Sequence, residues 1–119
     1  MTRRADAEAR AGAVFEALAD PTRRAVLRDV AERGPLTPTE LAAALPVTRQ
    51  AVAKHLGVLQ GAGLVTPERQ GRETRYTATP GPLTEAGAWL TQAGQAWDGR
   101  LARLAQRARE RTLAEEPPG

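Results

Sequence analysis

The side chains best suited to chemistry lie in the stretch 48–63, which reads TRQAVAKHLGVLQGAG. If this stretch is helical, its first turn carries Arg49 and Gln50, and Lys54 lies one turn after Gln50 on the same face. Arginine can pair bidentately with guanine and glutamine with adenine, whereas lysine suits a phosphate or a guanine. These side chains therefore predict a helix that lies in the major groove of DNA, with its first turn toward the bases.

The same stretch has the start, the stop and the apolar pattern of one helix. Thr48 can cap it, because a threonine hydroxyl accepts from a backbone N–H that lacks an intrahelical partner, and Gly63 can end it by entering the left-handed region. The apolar positions recur at the spacing of a buried stripe and are Val52, Leu56 and Leu59. The opposite face carries Gly57 and Gly61, which cost roughly 1 kcal/mol each relative to alanine. Two explanations for these glycines stay open, a close approach of the helix to DNA and the glycine-rich composition of the chain.

A short hairpin that carries three arginines is predicted directly after this helix. Residues 64–66 and 74–78 are short segments with β-branched or aromatic residues, and residues 70–72 separate them. The arginines of the hairpin are Arg69, Arg72 and Arg75. Such side chains can reach phosphates or the minor groove beside a recognition helix. Arginines on a hairpin are often only a solvated surface, but their place after the predicted helix favours contact with DNA.

The single histidine and the lack of cysteine exclude several functions. His55 flanks the buried stripe of its helix, so we expect it to be packed or to contact a phosphate. One histidine without cysteine cannot build the usual three- or four-ligand metal site, and we expect neither a metal nor a cofactor. The sequence also shows no paired carboxylates, no nucleophile–base set and no phosphate-binding loop. It therefore does not predict an enzyme.

Length and charge define the class of protein. A chain of 119 residues is long enough for one domain with one core. The net charge of +3, from 17 basic and 14 acidic residues, permits binding to nucleic acid, although GC-rich coding explains the arginine excess equally well. The first residues lack the apolar segment of a secretory signal, and no run reaches the roughly 18 apolar residues of a membrane span. We therefore predict a cytoplasmic protein without a membrane partner.

The periodic pattern of the whole chain predicts a mainly α fold with a small β-hairpin. Helices are expected at 7–19, 20–33, 40–45, 48–62 and 83–110. A short helix, a tight turn and a longer helix form a helix-turn-helix, and the hairpin after it makes the fold a winged helix-turn-helix. We assign a single domain to 7–110, with the helix-turn-helix at 37–63, the wing at 64–79, and flexible ends at 1–6 and 111–119.

Capping signals predict where two of these helices begin. Asp20 precedes Pro21, and a proline at the first helical position loses no hydrogen bond. Thr37 and Glu40 fit a capping box, with Pro38 again at the first helical position.

The last helix has more apolar surface than one small domain can cover. Tryptophan concentrates binding energy at interfaces, so this helix is predicted to pair with a second copy of the chain, together with the first helix. The predicted interface residues are Val14, Phe15, Leu18, Leu90, Trp97, Leu101 and Leu104. In the alternative, Trp89 and Trp97 cover the first helix of their own chain.

Four segments together resemble a known family of regulators. They are ALADPTRRAVL, GPLTPTELAAAL, TRQAVAKHLGVLQGAGLV and GRETRYTAT. In this order they resemble the ArsR-type family of bacterial winged-helix repressors. The later segment AWLTQAGQAWDGRLARL is similar to the branch of that family that includes small autorepressors.

The resemblance implies a homodimer that pairs through its first and last helices, binds a near-palindromic operator in double-stranded DNA and represses transcription. It places the DNA interface on the fourth helix and the wing. The residues so implied are Thr48, Arg49, Gln50, Lys54, His55, Arg69, Arg72 and Arg75.

Metal sensing is not expected, although it is the best-known activity of that family. Metal-sensing members carry cysteines after the Glu-Leu of the third helix, where this chain has Ala42 and Ala44, and the last helix has no histidine. Two alternatives stay open. One is a sensor with a small-molecule pocket at the dimer interface, for which the sequence identifies no inducer, and the other is a winged-helix module that binds another protein.

Overall fold

The computed structural model describes residues 3–115, and within them the chain forms five helices and one two-stranded antiparallel sheet. The elements are α1 (Arg3–Ala17), α2 (Pro21–Arg33), α3 (Pro38–Ala44), α4 (Arg49–Gly61), β1 (Val65–Gln70), β2 (Glu73–Ala78) and α5 (Gly81–Glu115). This order confirms the predicted mainly α fold with a small hairpin and the winged helix-turn-helix arrangement.

Local capping decides where α2 and α3 begin, as the sequence predicts. The Asp20 carboxylate accepts from the backbone N–H of Thr22 at 2.7 Å and of Arg23 at 3.2 Å. At α3, the Thr37 hydroxyl accepts from the Glu40 N–H and the Glu40 carboxylate accepts from the Thr37 N–H, both at 3.1 Å. These backbone donors, foremost Arg23 for Asp20 and Thr37 for Glu40, lower the pKa of each carboxyl below its usual value.

Side chains of α2 determine where α1 ends. The guanidinium of Arg23 donates to the carbonyl of Ala17 at 2.6 Å, and that of Arg24 donates to the carbonyl of Leu18 at 2.6 Å. The last carbonyls of a helix lack intrahelical partners, and cationic donors stabilise them. α1 therefore ends at Ala17, slightly before the predicted end near Ala19.

The end of α4 has the hydrogen bonds of a Schellman motif. The Leu64 N–H donates to the Leu59 carbonyl and the Gly63 N–H donates to the Gln60 carbonyl, both at 2.9 Å. Gly63 adopts a φ of 76°, which an L side chain rarely adopts. Leu59 and Leu64 are fully buried, so the apolar contact that accompanies this motif is part of the core. The prediction that Gly63 stops the helix is confirmed.

The core lies in the part of the chain up to Gly87. α1, α2, α3, α4, β1 and the start of α5 all contribute to one cluster, whose largest fully buried members are Leu41, Leu56, Leu59, Leu64, Val14, Val26, Val30 and Val52. The predicted stripe of α4 is confirmed, since its three apolar side chains are 0% exposed. Val14 requires a correction. It was predicted at the dimer interface, but it is 1% exposed and fills the core of its own chain, so a partner cannot reach it.

The hairpin is longer than predicted and is joined to the chain before α3. Gln70 pairs with Glu73, which leaves a two-residue turn whose first residue, Gly71, has a φ of 64°, as a type II′ turn requires. Pro67 is accommodated in β1 because this strand lies at an edge of the sheet. On the other side of β2, Leu36 and Tyr76 exchange two backbone hydrogen bonds of 3.2 and 2.9 Å. β2 is thus bonded on both sides.

The ends of the described chain are more helical than predicted. Residues 3–6 belong to α1 and residues 111–115 to α5, so both helices extend into the ends that the sequence predicts to be flexible. Both segments lack apolar periodicity, but alanine, arginine and glutamate are strong helix formers without it. Residues 1, 2 and 116–119 lie outside the described residues. Within residues 3–115, no helix is both long and apolar enough to cross a membrane.

Contacts divide the chain into two compact units, one up to Gly87 and one from Ala88 onward. The second unit contains the part of α5 from Ala88 onward, and its predicted interface side chains are strongly exposed. Leu90 and Trp97 are each 56% exposed, Leu101 is 44% exposed and Leu104 is 48% exposed. More than half of the Trp97 side chain is thus exposed. The alternative, in which Trp89 and Trp97 cover the first helix of their own chain, stays open.

Candidate nucleic-acid interface

The first turn of α4 presents the predicted contact residues. The Thr48 hydroxyl accepts from the Ala51 N–H at 3.0 Å, so this side chain is engaged in capping the helix. Arg49, Gln50 and Lys54 are exposed, and among residues 3–115 no acidic side chain pairs with either cation. Gln50 and Lys54 lie on the side of α4 opposite the buried stripe, and Arg49 is exposed beside the stripe at the start of the helix.

His55 lies between this face and the core. It is half-buried, and its charge is among the influences that lower the pKa of Asp20, after the backbone hydrogen bond from Arg23. Asp20 caps α2, so His55 is positioned where α4 meets the start of α2. This placement agrees with the expected packed role of the histidine.

The three arginines of the wing differ in their surroundings. Arg69 is exposed and donates within the hairpin, to the Gly71 carbonyl at 3.3 Å. Arg72 is exposed at the turn and pairs with no described acid. Arg75 is half-buried and donates to the carboxylates of Glu40 at 2.9 Å and Glu73 at 3.2 Å. The guanidinium of Arg75 is therefore engaged within its own chain, and its contact with DNA stays a prediction.

A groove of about 450 Å³ brings together cations that the sequence predicted separately. Its walls are the start of α3, the first residue of α4 and the turn and second strand of the wing, and its charged residues are Glu40, Arg49, Arg72, Glu73 and Arg75. The hydroxyl-bearing Thr39 and Thr74 also line it, and neither was predicted. No local sequence signal identifies them, because the groove forms only when the wing folds back beside α3.

Gly57 and Gly61 are exposed, and a Cβ atom at either position would meet no atom of the chain within 4 Å. The protein's own packing therefore does not require glycine at these positions. The two explanations, close approach to DNA and composition, both remain.

Among residues 3–115, no three histidine, cysteine, aspartate or glutamate side chains are grouped as a metal site. Ala42 and Ala44, the positions at which the family resemblance would place the cysteines of a metal-sensing member, lie on α3.

Comparison with known proteins identifies relatives of the same architecture. Residues 18–68 match a family model described as a helix-turn-helix domain. The chain is similar to the HTH-type transcriptional regulator YuzN of Bacillus subtilis, with 50% identity over 66 residues that cover 50% of this chain and 72% of that protein. It is also similar to the HTH-type transcriptional regulator CmtR of Mycobacterium tuberculosis, with 40% identity over 92 residues that cover 77% of each chain.

A solved structure extends this likeness to three dimensions. The ArsR-like transcriptional regulator from Rhodococcus sp. RHA1 matches with a TM-score of 0.77 and 42% identity, over 85% of this chain and 94% of that one. These relatives are 40–50% identical to the chain over 72–94% of their own length, and they are regulators of the helix-turn-helix type that the fold and the sequence motifs indicate. The chain belongs to the ArsR family of winged helix-turn-helix transcriptional regulators.

Proposed function

We propose that this chain is a homodimeric repressor that binds a near-palindromic operator through α4 and the wing. The observation that carries the proposal is the exposed pair Gln50 and Lys54, which lie on the face of α4 opposite its fully buried stripe, with Arg49 exposed in the first turn of the helix. A side chain can discriminate between bases only if its helix is held rigidly in register with the groove. The buried stripe and the Thr48 cap supply that rigidity. The repressive direction follows from the family resemblance, and a cytoplasmic location follows from binding the chromosome.

The contacts divide between bases and backbone. Gln50 has the amide that pairs bidentately with adenine, and Lys54 lies one turn further along the same face. Arg69 and Arg72 reach the flanking backbone or the minor groove from the wing, since neither pairs with an acid of the described chain. Thr48 contributes by capping α4, and His55 lies half-buried on the same helix, where its charge helps to lower the pKa of Asp20 after the backbone hydrogen bond from Arg23.

The dimer is formed mainly through α5. Its exposed stripe consists of Leu90, Trp97, Leu101 and Leu104, which are 44–56% exposed. Contiguous apolar surface of this kind marks an interaction site, and a tryptophan among leucines is a typical energetic anchor. Phe15 and Leu18 of α1 are half-buried and stay among the proposed interface residues, whereas the buried Val14 is left out.

A two-fold dimer makes a geometric prediction about its operator. Two recognition helices related by a two-fold axis enter successive major grooves, so half-sites should be centred roughly 10 base pairs, or a multiple of that, apart. The test selects bound fragments from random duplex DNA and footprints the protein on the selected sequence. Inverted half-sites at this spacing support the proposal. Failure to bind any duplex at low salt, together with a tight complex with another protein, would favour the interaction-module alternative.

A further inference from the structure

The groove between α3, the start of α4 and the wing is lined by one arginine that is paired with carboxylates and by two arginines that are not. Arg75 is bound to carboxylates of its own chain, whereas Arg49 and Arg72 pair with no acid among residues 3–115. Arg49 comes from the first position of α4, and Arg72 comes from the turn of the wing. The two unpaired guanidinium groups therefore belong to two different elements and line one groove.

Arg75 fixes the wing against the start of α3. One oxygen of Glu40 accepts from both the Thr37 N–H at 3.1 Å and Arg75 Nη1 at 2.9 Å, while Glu73 accepts from Arg75 Nη2 at 3.2 Å. The two hydrogen bonds between Leu36 and Tyr76 lie next to this ion pair along the chain. Side-chain and backbone bonds thus act together, and they hold the wing, which carries Arg72, against the start of α3 on one wall of the groove that Arg49 also lines.

The charge balance of the groove suits one monovalent anion. Three arginines and two glutamates line it, so its net charge is +1. Both glutamates already accept from Arg75, which leaves the positive excess on Arg49 and Arg72. A phosphodiester carries one negative charge, and the planar guanidinium group suits its oxygens. The hydroxyls of Thr39 and Thr74 line the same space and can donate to a further oxygen.

We propose that this groove binds a single phosphodiester group of the operator backbone between Arg49 and Arg72. The inference rests on the proposed DNA-binding function and refines it. It assigns Arg49 to the backbone, and it leaves base discrimination to Gln50 and Lys54. It also makes Arg75 a positioning residue, which contacts no DNA but keeps the two walls of the groove together.

The test replaces each operator phosphate in turn by a neutral methylphosphonate and measures affinity for the wild-type protein and three variants. We expect one phosphate position at which the substitution weakens wild-type binding. Arg49→Ala and Arg72→Ala should both lose sensitivity at that position. Arg75→Ala should lose sensitivity there too, because the wing is no longer held beside α3. Arg28→Ala, an exposed arginine on α2 outside the groove, should keep the wild-type pattern.

The salt dependence of binding provides a second readout. Each neutralised phosphate contributes about −0.9 to the slope of log K against log salt concentration. The double variant Arg49→Ala/Arg72→Ala should therefore lose about 0.9 in slope if the two arginines share one phosphate, and about 1.8 if they neutralise two. A loss of about 1.8, or sensitivity that maps to two different positions, would overturn the inference. Relaxed discrimination at one base pair in Arg49→Ala alone would also overturn it.

The source of the anion is tested with inorganic phosphate. The Nε–Hε signals of Arg49 and Arg72 should both shift in NMR spectra when operator DNA is added, and millimolar inorganic phosphate should leave them in place. If inorganic phosphate saturates the groove at micromolar concentration, the groove is a site for a free anion and the inference is wrong. If the wild-type protein binds no duplex at low salt, the proposed function itself fails. If it binds its operator but Arg49 and Arg72 contact different phosphates, only the present inference fails.

Discussion

α4 and α5 have similar apolar stripes in the sequence but different environments in the structure. The stripe of α4, Val52, Leu56 and Leu59, is 0% exposed, whereas Trp97 and Leu101 of α5 are 56% and 44% exposed. Periodicity shows which face of a helix is apolar, but it does not show what covers that face. For α4 the cover is the chain's own core. For α5 we propose that it is a second copy of the chain.

The largest expected effect is on the free energy of unfolding and comes from a substitution in the buried stripe of α4. Leu56→Ala should lower the free energy of unfolding by about 2–5 kcal/mol, because it leaves a cavity at a fully buried position. Urea denaturation followed by circular dichroism measures this change, and Leu113→Ala is the matched control because Leu113 is 68% exposed. A loss of less than 1 kcal/mol would show that the surroundings of Leu56 are not closely packed.

A substitution in the exposed stripe of α5 should weaken dimerisation. Trp97→Ala should raise the dimer dissociation constant at least about 30-fold, since a central tryptophan typically contributes 2 kcal/mol or more to an interface. Sedimentation equilibrium measures the constant. Leu113→Ala again serves as the control, because at helical spacing Leu113 lies on the other side of α5 from Leu101 and Leu104. A Trp97→Ala protein that dimerises like the wild type would place the interface elsewhere.

The stability lost by a substitution should depend on protein concentration for the stripe of α5 but not for the stripe of α4. If Leu101 packs against a partner, the stability lost in Leu101→Ala should depend on protein concentration, because association stabilises the folded state by mass action. The loss in Leu56→Ala arises within one chain and should be present even where the protein is monomeric. Denaturation curves at several concentrations test this difference. Equal concentration dependence for the two variants would contradict it.

The smallest expected effect concerns the exposed face of α4. Gly57→Ala and Gly61→Ala should each raise the free energy of unfolding by about 0.5–1 kcal/mol, because both positions are open and alanine favours the helix. Operator affinity then decides between the two explanations for the glycines. A weaker complex indicates close approach to DNA, and an unchanged one indicates composition. Reduced stability would show that the space around these positions is not open.

The features that the sequence predicts correctly are those that depend on residues close together in the chain. The caps at Thr37 and Thr48 involve partners three residues away, and the stop at Gly63 depends on the preceding turn. Arg75 illustrates what could not be predicted. Its partner Glu40 is 35 residues away, and the two meet only because Leu36 pairs with Tyr76.

Burial against a particular neighbour is also a property of the whole fold. Val14, Phe15 and Leu18 share one apolar face of α1, yet Val14 is fully buried and the other two are half-buried. Helical spacing placed all three in one set, and only the packing of the other helices separates them. The groove has the same origin, because Arg49 and Arg72 are 23 positions apart in the sequence and line one groove only in the folded chain.

Gln50 tests most directly the claim that α4 discriminates between operator sequences. Gln60→Ala is the matched control, since it removes the same side chain from an exposed position near the end of the same helix. We predict that Gln50→Ala loses about 1–3 kcal/mol of discrimination between the selected operator and random duplex, while Gln60→Ala keeps the wild-type ratio. Fluorescence anisotropy at fixed salt measures both ratios. Wild-type discrimination in Gln50→Ala would contradict the assignment of α4 as the helix that reads the operator.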